Sequence, residues 1–131
     1  SVPVYNDDEQ YNLYGVTDCI ELKKDKTGIT IKDDNQRYKL TIVEYKPTKP
    51  KEKDYREDDL MQVFAQKLCV DSIFGGDCDG VLYYADVKKR ISLPLKENFE
   101  KYNEELKRLL TEMRDFLKAG KIPADSKKSK L

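Results

Sequence analysis

The chain has 131 residues, 38% of them charged, and its 25 Lys and Arg balance 25 Asp and Glu to a formal net charge of zero. This length suits one domain with one modest core, and four Phe, nine Tyr and well-patterned Val, Leu and Ile runs argue against disorder despite a mean hydropathy of -0.81. The absence of His excludes Ser–His and Cys–His catalysis and a His-based zinc site within this chain, so catalysis here must use carboxylates and lysine.

In chain order, residues 1–22 read as an extended hairpin. Pro3 opens it, Asn6 to Gln10 turn it, and Leu13 to Val16 lead into Cys19 to Leu22. Lys23 to Gly28 reads as a polar turn. Ile29 and Ile31 alternate with Thr30 and Lys32 as a short half-exposed strand, and Asp33 to Gln36 turn the chain again. Tyr38 to Lys46, rich in β-branched and aromatic residues, is the strongest strand signal. Pro47 to Lys53 forms a Pro/Lys loop.

Arg56 to Ile73 reads as a helix. Leu60, Met61, Phe64, Ala65, Leu68 and Cys69 recur at helical spacing, three acids suit its first turn, and Gly75-Gly76 ends it. Gly80 to Asp86 reads as a buried strand, Lys88 to Arg90 as a tight basic turn, and Ile91 to Leu95 as an edge strand because of Pro94. Asn98 to Ala119 is a long amphipathic helix with Leu106, Leu109, Leu110, Met113, Phe116 and Leu117 as its stripe, stopped by Gly120 and Pro123. The basic tail from Asp125 to Leu131 is expected to lack regular structure. The order β-β-β-α-β-β-α predicts an α/β (α+β) fold, a mixed central sheet flanked by helices, with one domain over 1–123 and a tail over 124–131.

No stretch approaches the length of a membrane span, so no membrane partner is expected. Cys19, Cys69 and Cys78 have no metal-finger spacing. Their odd number, with no secretory pattern in view, points to a reducing cytoplasmic setting and mostly buried thiols.

Three short segments carry chemistry: Gly15-Val-Thr-Asp18, Val43-Glu-Tyr-Lys46 and Gln62-Val-Phe-Ala-Gln66. Two carboxylates can hold a hard divalent cation through oxygen. A lysine two residues past the second carboxylate lies on the same strand face, where it can orient water and offset phosphate charge. Each residue has an ordinary reading when taken singly: Asp18 as an edge polar residue, Glu44 and Lys46 as a surface pair, Gln62 as a solvated side chain. Lys49, Lys51 and Lys53, with Lys88, Lys89 and Arg90, form two basic runs able to meet phosphates or to remain solvated surface.

In combination these segments resemble the PD-(D/E)xK nuclease superfamily, and more closely its RecB-like CRISPR-associated branch, the iron–sulfur exonuclease that works beside the spacer integrase. Further text carrying the resemblance is Asp59-Leu-Met-Gln-Val-Phe-Ala-Gln-Lys-Leu-Cys-Val70 and Gly80-Val-Leu-Tyr-Tyr-Ala-Asp-Val-Lys-Lys-Arg90; it covers about Val2 to Pro123. The resemblance implies a restriction-endonuclease-like core. It implies Mg2+ or Mn2+ held by Asp18, Glu44 and the Tyr45 backbone carbonyl, with Lys46 as the catalytic lysine and Gln62 beside it. It further implies DNA and the CRISPR integrase complex as partners, and prespacer trimming as the activity.

Gln66 stands where the family has a tyrosine, and is expected to hydrogen-bond a phosphate or the DNA backbone. The family's metal-binding His has no counterpart here. Its four-iron four-sulfur (4Fe-4S) cluster is expected in a longer protein, extending beyond both ends of these residues, and not on Cys19, Cys69 and Cys78. The competing expectation is a nuclease-like core that has lost catalysis and serves as an adaptor in the same complex.

Overall fold

The structure, a computed structural model, describes residues 1–31 and 35–119 and the backbone of 129–130. Its elements are β1 (Val2–Asn6), β2 (Leu13–Thr17), β3 (Cys19–Ile29), β4 (Tyr38–Lys46), α1 (Glu57–Phe74), β5 (Asp79–Tyr84), β6 (Lys89–Ser92), α2 (Phe99–Lys118) and β7 (Ser129–Lys130). The fold is mixed α and β. Its larger sheet has the order β3-β4-β5-β6, and a smaller one the order β1-β2-β7.

The larger sheet is mixed because of its connections. β3 and β4 are antiparallel, β4 and β5 are parallel, and β5 and β6 are antiparallel. A parallel neighbour needs a crossover, and α1 supplies it, which makes β4-α1-β5 a βαβ unit. Alternation along β4 then sends Leu40, Ile42, Glu44 and Lys46 to one face and Lys39, Thr41, Val43 and Tyr45 to the other. The side chains of Leu40, Ile42 and Glu44 are buried, while Tyr45 is exposed.

α1 is the central element, packing on β1, β2, β4, β5 and α2. Its sequence is apolar on more than one side, as a helix enclosed by neighbours requires. Leu60, Val63, Phe64, Ala65, Leu68, Cys69 and Val70 are all buried, and full burial of a Leu or Phe is worth about 2 kcal/mol. Gly80 allows α1 this close to β5, since a Cβ there would meet Val63 Cγ1 at 2.7 Å and Leu95 Cδ1 at 2.5 Å. Gly75 and Gly76, with φ of 75° and 88°, reverse the chain after α1 in a region that disfavours other residues.

Lys67 then ties the α1–β5 connection down. It is fully buried, and its ammonium donates to Asp71 Oδ2 and the Cys78 carbonyl, both at 2.8 Å, and to Asp77. Asp71 Oδ1 also accepts the Cys78 N–H at 2.9 Å. The apolar spacing of α1 gives no sign of this buried ion cluster.

Four expectations need correction. Lys23 to Gly28 is not a turn: β3 runs through it to Ile29, with a register irregularity between Lys24 and Ile29 that absorbs the polar residues on an outer strand. Lys89 and Arg90 belong to β6, so the basic turn is shorter than expected. The buried stripe of α2 is Tyr102, Leu106 and Leu110, with Phe64 meeting the Phe99 and Tyr102 rings at 5.3 and 5.7 Å, while Leu109, Met113 and Phe116 are partly exposed. The tail is not wholly irregular, because Ser129–Lys130 pairs in parallel with Leu13 and Tyr14. The turn at Asp33 and Asp34 and the helix stop at Gly120 and Pro123 lie outside the described residues.

Candidate active site

Asp18 stands at the bend where the chain leaves the small sheet for the large one, between Thr17 of β2 and Cys19 of β3. Its exposed carboxylate turns to the next strand, where Oδ2 accepts the Tyr45 backbone N–H at 3.0 Å. A strand residue presents its N–H and C=O to the same edge. The Lys46 carbonyl takes the Ala85 N–H on the β5 side, so the Tyr45 carbonyl faces the opposite edge, toward Asp18. The Tyr45 ring lies on the other face of the sheet, edge-on to Tyr83 at 5.7 Å.

Glu44 comes to the same place from β4. It is 7% exposed, with Oε2 accepting from Gln66 Nε2 at 3.2 Å and Oε1 meeting Gln62 Nε2 at 3.5 Å. Its carboxyl is held above the ordinary value. Burial is the largest cause; the neighbouring Asp18 carboxylate also raises it, and Gln66 and Lys46 oppose the shift. Two carboxylates close enough to perturb one another, one of them buried, form a locus of negative potential that a divalent cation relieves.

Lys46, two residues on, projects from the same face of β4 toward α1. Its Nζ donates to Gln62 Oε1 at 3.2 Å and pairs with Asp59 Oδ1 at 3.4 Å. Gln62 therefore uses both ends of one amide, oxygen toward Lys46 and nitrogen toward Glu44. α1 provides these contacts because Asp59, Gln62 and Gln66 recur at spacings of three and four, one above another on the side facing β4.

Gln66 departs from expectation. It is fully buried, its Oε1 accepts the Thr17 hydroxyl at 2.6 Å, and its Nε2 goes to Glu44. Burial on the inner face of a helix enclosed on several sides removes it from any surface a nucleic acid could touch. Sequence reasoning also missed Thr17 and Asp59. Thr17 alternates inward with Leu13 and Gly15 along β2, and that period was its only signal. Asp59 read as one of three helix-terminal acids, and only its spacing of three from Gln62 marks it.

The basic residues flank this site unequally. Lys51, Lys53, Lys88 and Lys89 are exposed. Lys49 instead staples its own loop, its ammonium donating to the Pro50 and Lys53 carbonyls at 3.2 and 2.9 Å. Arg90 is committed to Glu21 through two bonds of 2.8 and 2.7 Å across the outer face of the sheet. The two basic loops nevertheless adjoin, since the Asp86 carboxylate accepts the Lys49 N–H at 3.2 Å and the Asp86 N–H reaches the Pro47 carbonyl at 3.1 Å.

The cysteines do not join the site. Cys69 and Cys78 are buried, Cys19 is half-buried, and all three are free. Burial pushes the Cys69 thiol up to about 12 and raises Cys78 as well, which suits unreactive core thiols. Among the described residues no three His, Cys, Asp or Glu side chains come together as a metal-holding group. The Asp18 and Glu44 carboxylates that do come near one another offer hard oxygens, a chemistry that suits a divalent cation such as Mg2+ or Mn2+ better than a soft one. No helix among the described residues is long and apolar enough to cross a membrane. No protein-family model and no curated protein matches the chain.

Proposed function

We propose that this chain is the catalytic core of a Mg2+- or Mn2+-dependent DNA exonuclease with a PD-(D/E)xK architecture, trimming prespacer DNA beside a CRISPR spacer integrase in the cytoplasm. The observation that supports this most is the meeting of Asp18, Glu44, Lys46 and Gln62 at the carboxyl end of β4. An Asp, a Glu-x-Lys and a helix Gln form one cluster although 44 residues separate the first from the last, counting from position 18 to position 62.

Asp18, Glu44 and the Tyr45 carbonyl would hold the ion, which supplies Lewis-acid stabilisation of the charge that builds on the phosphate and acidifies the attacking water. The chain's own part is orientation and electrostatics. Lys46 directs the water through Nζ and offsets negative charge at the phosphate. Gln62 fixes Lys46 relative to Glu44 by bonding both. Exposed Lys51, Lys53, Lys88 and Lys89 draw in the DNA backbone from two adjoining loops.

The second reading, an adaptor that has lost catalysis, is favoured by one feature. Lys46 is already engaged, pairing with Asp59 Oδ1 at 3.4 Å and donating to Gln62. Incubating the full chain with end-labelled single-stranded and duplex DNA in Mg2+, Mn2+ or EDTA separates the two. Progressive shortening from an end with either ion, and none in EDTA, is the expected result. Intact DNA with Mn2+ demonstrably bound favours the adaptor.

A further inference from the structure

We propose that Gln66 and Thr17 are positioning residues for Glu44, a buried relay that fixes which carboxylate oxygen is offered to the cation; this rests on the metal-site reading above. The chain of bonds is Thr17 Oγ1 to Gln66 Oε1 at 2.6 Å and Gln66 Nε2 to Glu44 Oε2 at 3.2 Å. Thr17 and Gln66 are both 0% exposed, so water does not compete for either bond.

The direction of every bond follows from the carboxylate. An ionised Glu44 only accepts, so the Gln66 amide must turn its nitrogen toward Glu44. The Gln66 oxygen then faces Thr17, and the Thr17 hydroxyl must donate. A hydroxyl that could rotate and an amide that could flip are thereby set in one arrangement. Oε2 of Glu44 is occupied by a fully buried bond at 3.2 Å, while Oε1 is met by the Gln62 amide only at 3.5 Å in a part-buried contact. Oε1 is the oxygen left for the ion. The relay also anchors the site to the hairpin: Thr17 precedes Asp18, so one bond chain links the segment carrying the first carboxylate to the side chain of the second. Outer-sphere partners that orient a ligand change metal affinity by about 10–100-fold when removed.

Mn2+ calorimetry on the full chain tests this, with wild type beside Gln66→Met, Thr17→Val, Thr17→Ser and the Gln66→Met/Thr17→Val double variant. Thermal melts confirm that each is folded at the titration temperature. Gln66→Met is expected to weaken Mn2+ binding about tenfold or more. Thr17→Val should weaken it several-fold, Thr17→Ser should restore wild-type affinity by keeping the hydroxyl, and the double variant should bind no worse than Gln66→Met because Thr17 acts through Gln66. A merely structural relay would lower the melting temperature and leave Mn2+ affinity unchanged in folded Thr17→Val and Gln66→Met. That result overturns the inference and leaves the metal site standing. Absence of Mn2+ binding by wild type overturns the metal-site reading itself, and the relay's role with it.

Discussion

Lys46 donates through Nζ to the side-chain oxygen of Gln62 at 3.2 Å, and this bond sets the sense of the whole Gln62 amide. Its nitrogen is left facing Glu44, so one side chain of α1 reads the two charged residues of β4. Gln62→Met keeps the length and loses both contacts. We expect its cleavage rate to fall about 10–100-fold, the range for loss of a partner that orients a metal-site side chain. Mn2+ affinity should change little, because the Glu44 contact given up is the long one. Single-turnover cleavage beside calorimetry checks both halves.

Glu44 carries a cost to the fold. Its pKa is raised above the ordinary value of 4.5, so the folded state holds the proton more tightly than the unfolded state does. The charge therefore destabilises the protein above that value, and the penalty vanishes as the pH drops below it. Glu44→Gln removes the penalty while keeping an acceptor for Gln66. We expect the melting temperature of the metal-free variant at pH 7 to rise by a few degrees, about 1 kcal/mol, and the Mn2+ response to be lost. In wild type, Mn2+ affinity should weaken as the pH falls toward the carboxylate range, and earlier than for an ordinary carboxylate, because protons compete for Glu44. Calorimetric scans with and without Mn2+ report both effects.

Lys67 gives the opposite pattern, a buried charge that the fold needs. Burial pushes its pKa down, but the Asp71 and Asp77 carboxylates outweigh this and hold it above 10.5. Its contribution is complete below that value and is lost only in strong alkali. Asp77, opposed by burial but lowered by Lys67 and Lys96, sits below its ordinary 3.8, so its contribution is present above that value and lost as the pH falls through the folded pKa. Lys67→Met should cost about 2 kcal/mol, less than the ~3–5 kcal/mol of a fully buried pair, because the acids reach water. It should also flatten the loss of stability below pH 4. Urea unfolding at pH 7 and pH 3 measures both.

Much of this was legible in the sequence, for identifiable reasons. β4 was plain because Tyr38 to Lys46 alternates and is β-branched, and the period of two put Glu44 and Lys46 on one face. α1 and α2 were plain from their apolar recurrences. Two partners were less visible. β3 hid inside polar text, because an outer strand needs no apolar partner on its outward side and Lys23 to Lys26 resembles a turn. Gln66 looked like a surface residue, because a polar side chain on a helix enclosed on several sides is buried only when partners await it. Those partners, Thr17 and Glu44, lie 49 and 22 residues away. Lys49 and Arg90 read as free basic groups for the same reason: their local carbonyls and the distant Glu21 leave no mark in the sequence.

Glu44 as ion ligand and Lys46 as the group that directs water have separable consequences, and one paired measurement reads both. Mn2+ titration calorimetry and a DNA-cleavage assay are run together on wild type, Glu44→Ala and Lys46→Ala, with circular dichroism to show that each is folded. Glu44→Ala is expected to lose both ion binding and cleavage, whereas Lys46→Ala is expected to bind Mn2+ about as well as wild type and to fail to cut. Full cleavage by Lys46→Ala, or Mn2+ binding by Glu44→Ala equal to wild type, would contradict these roles.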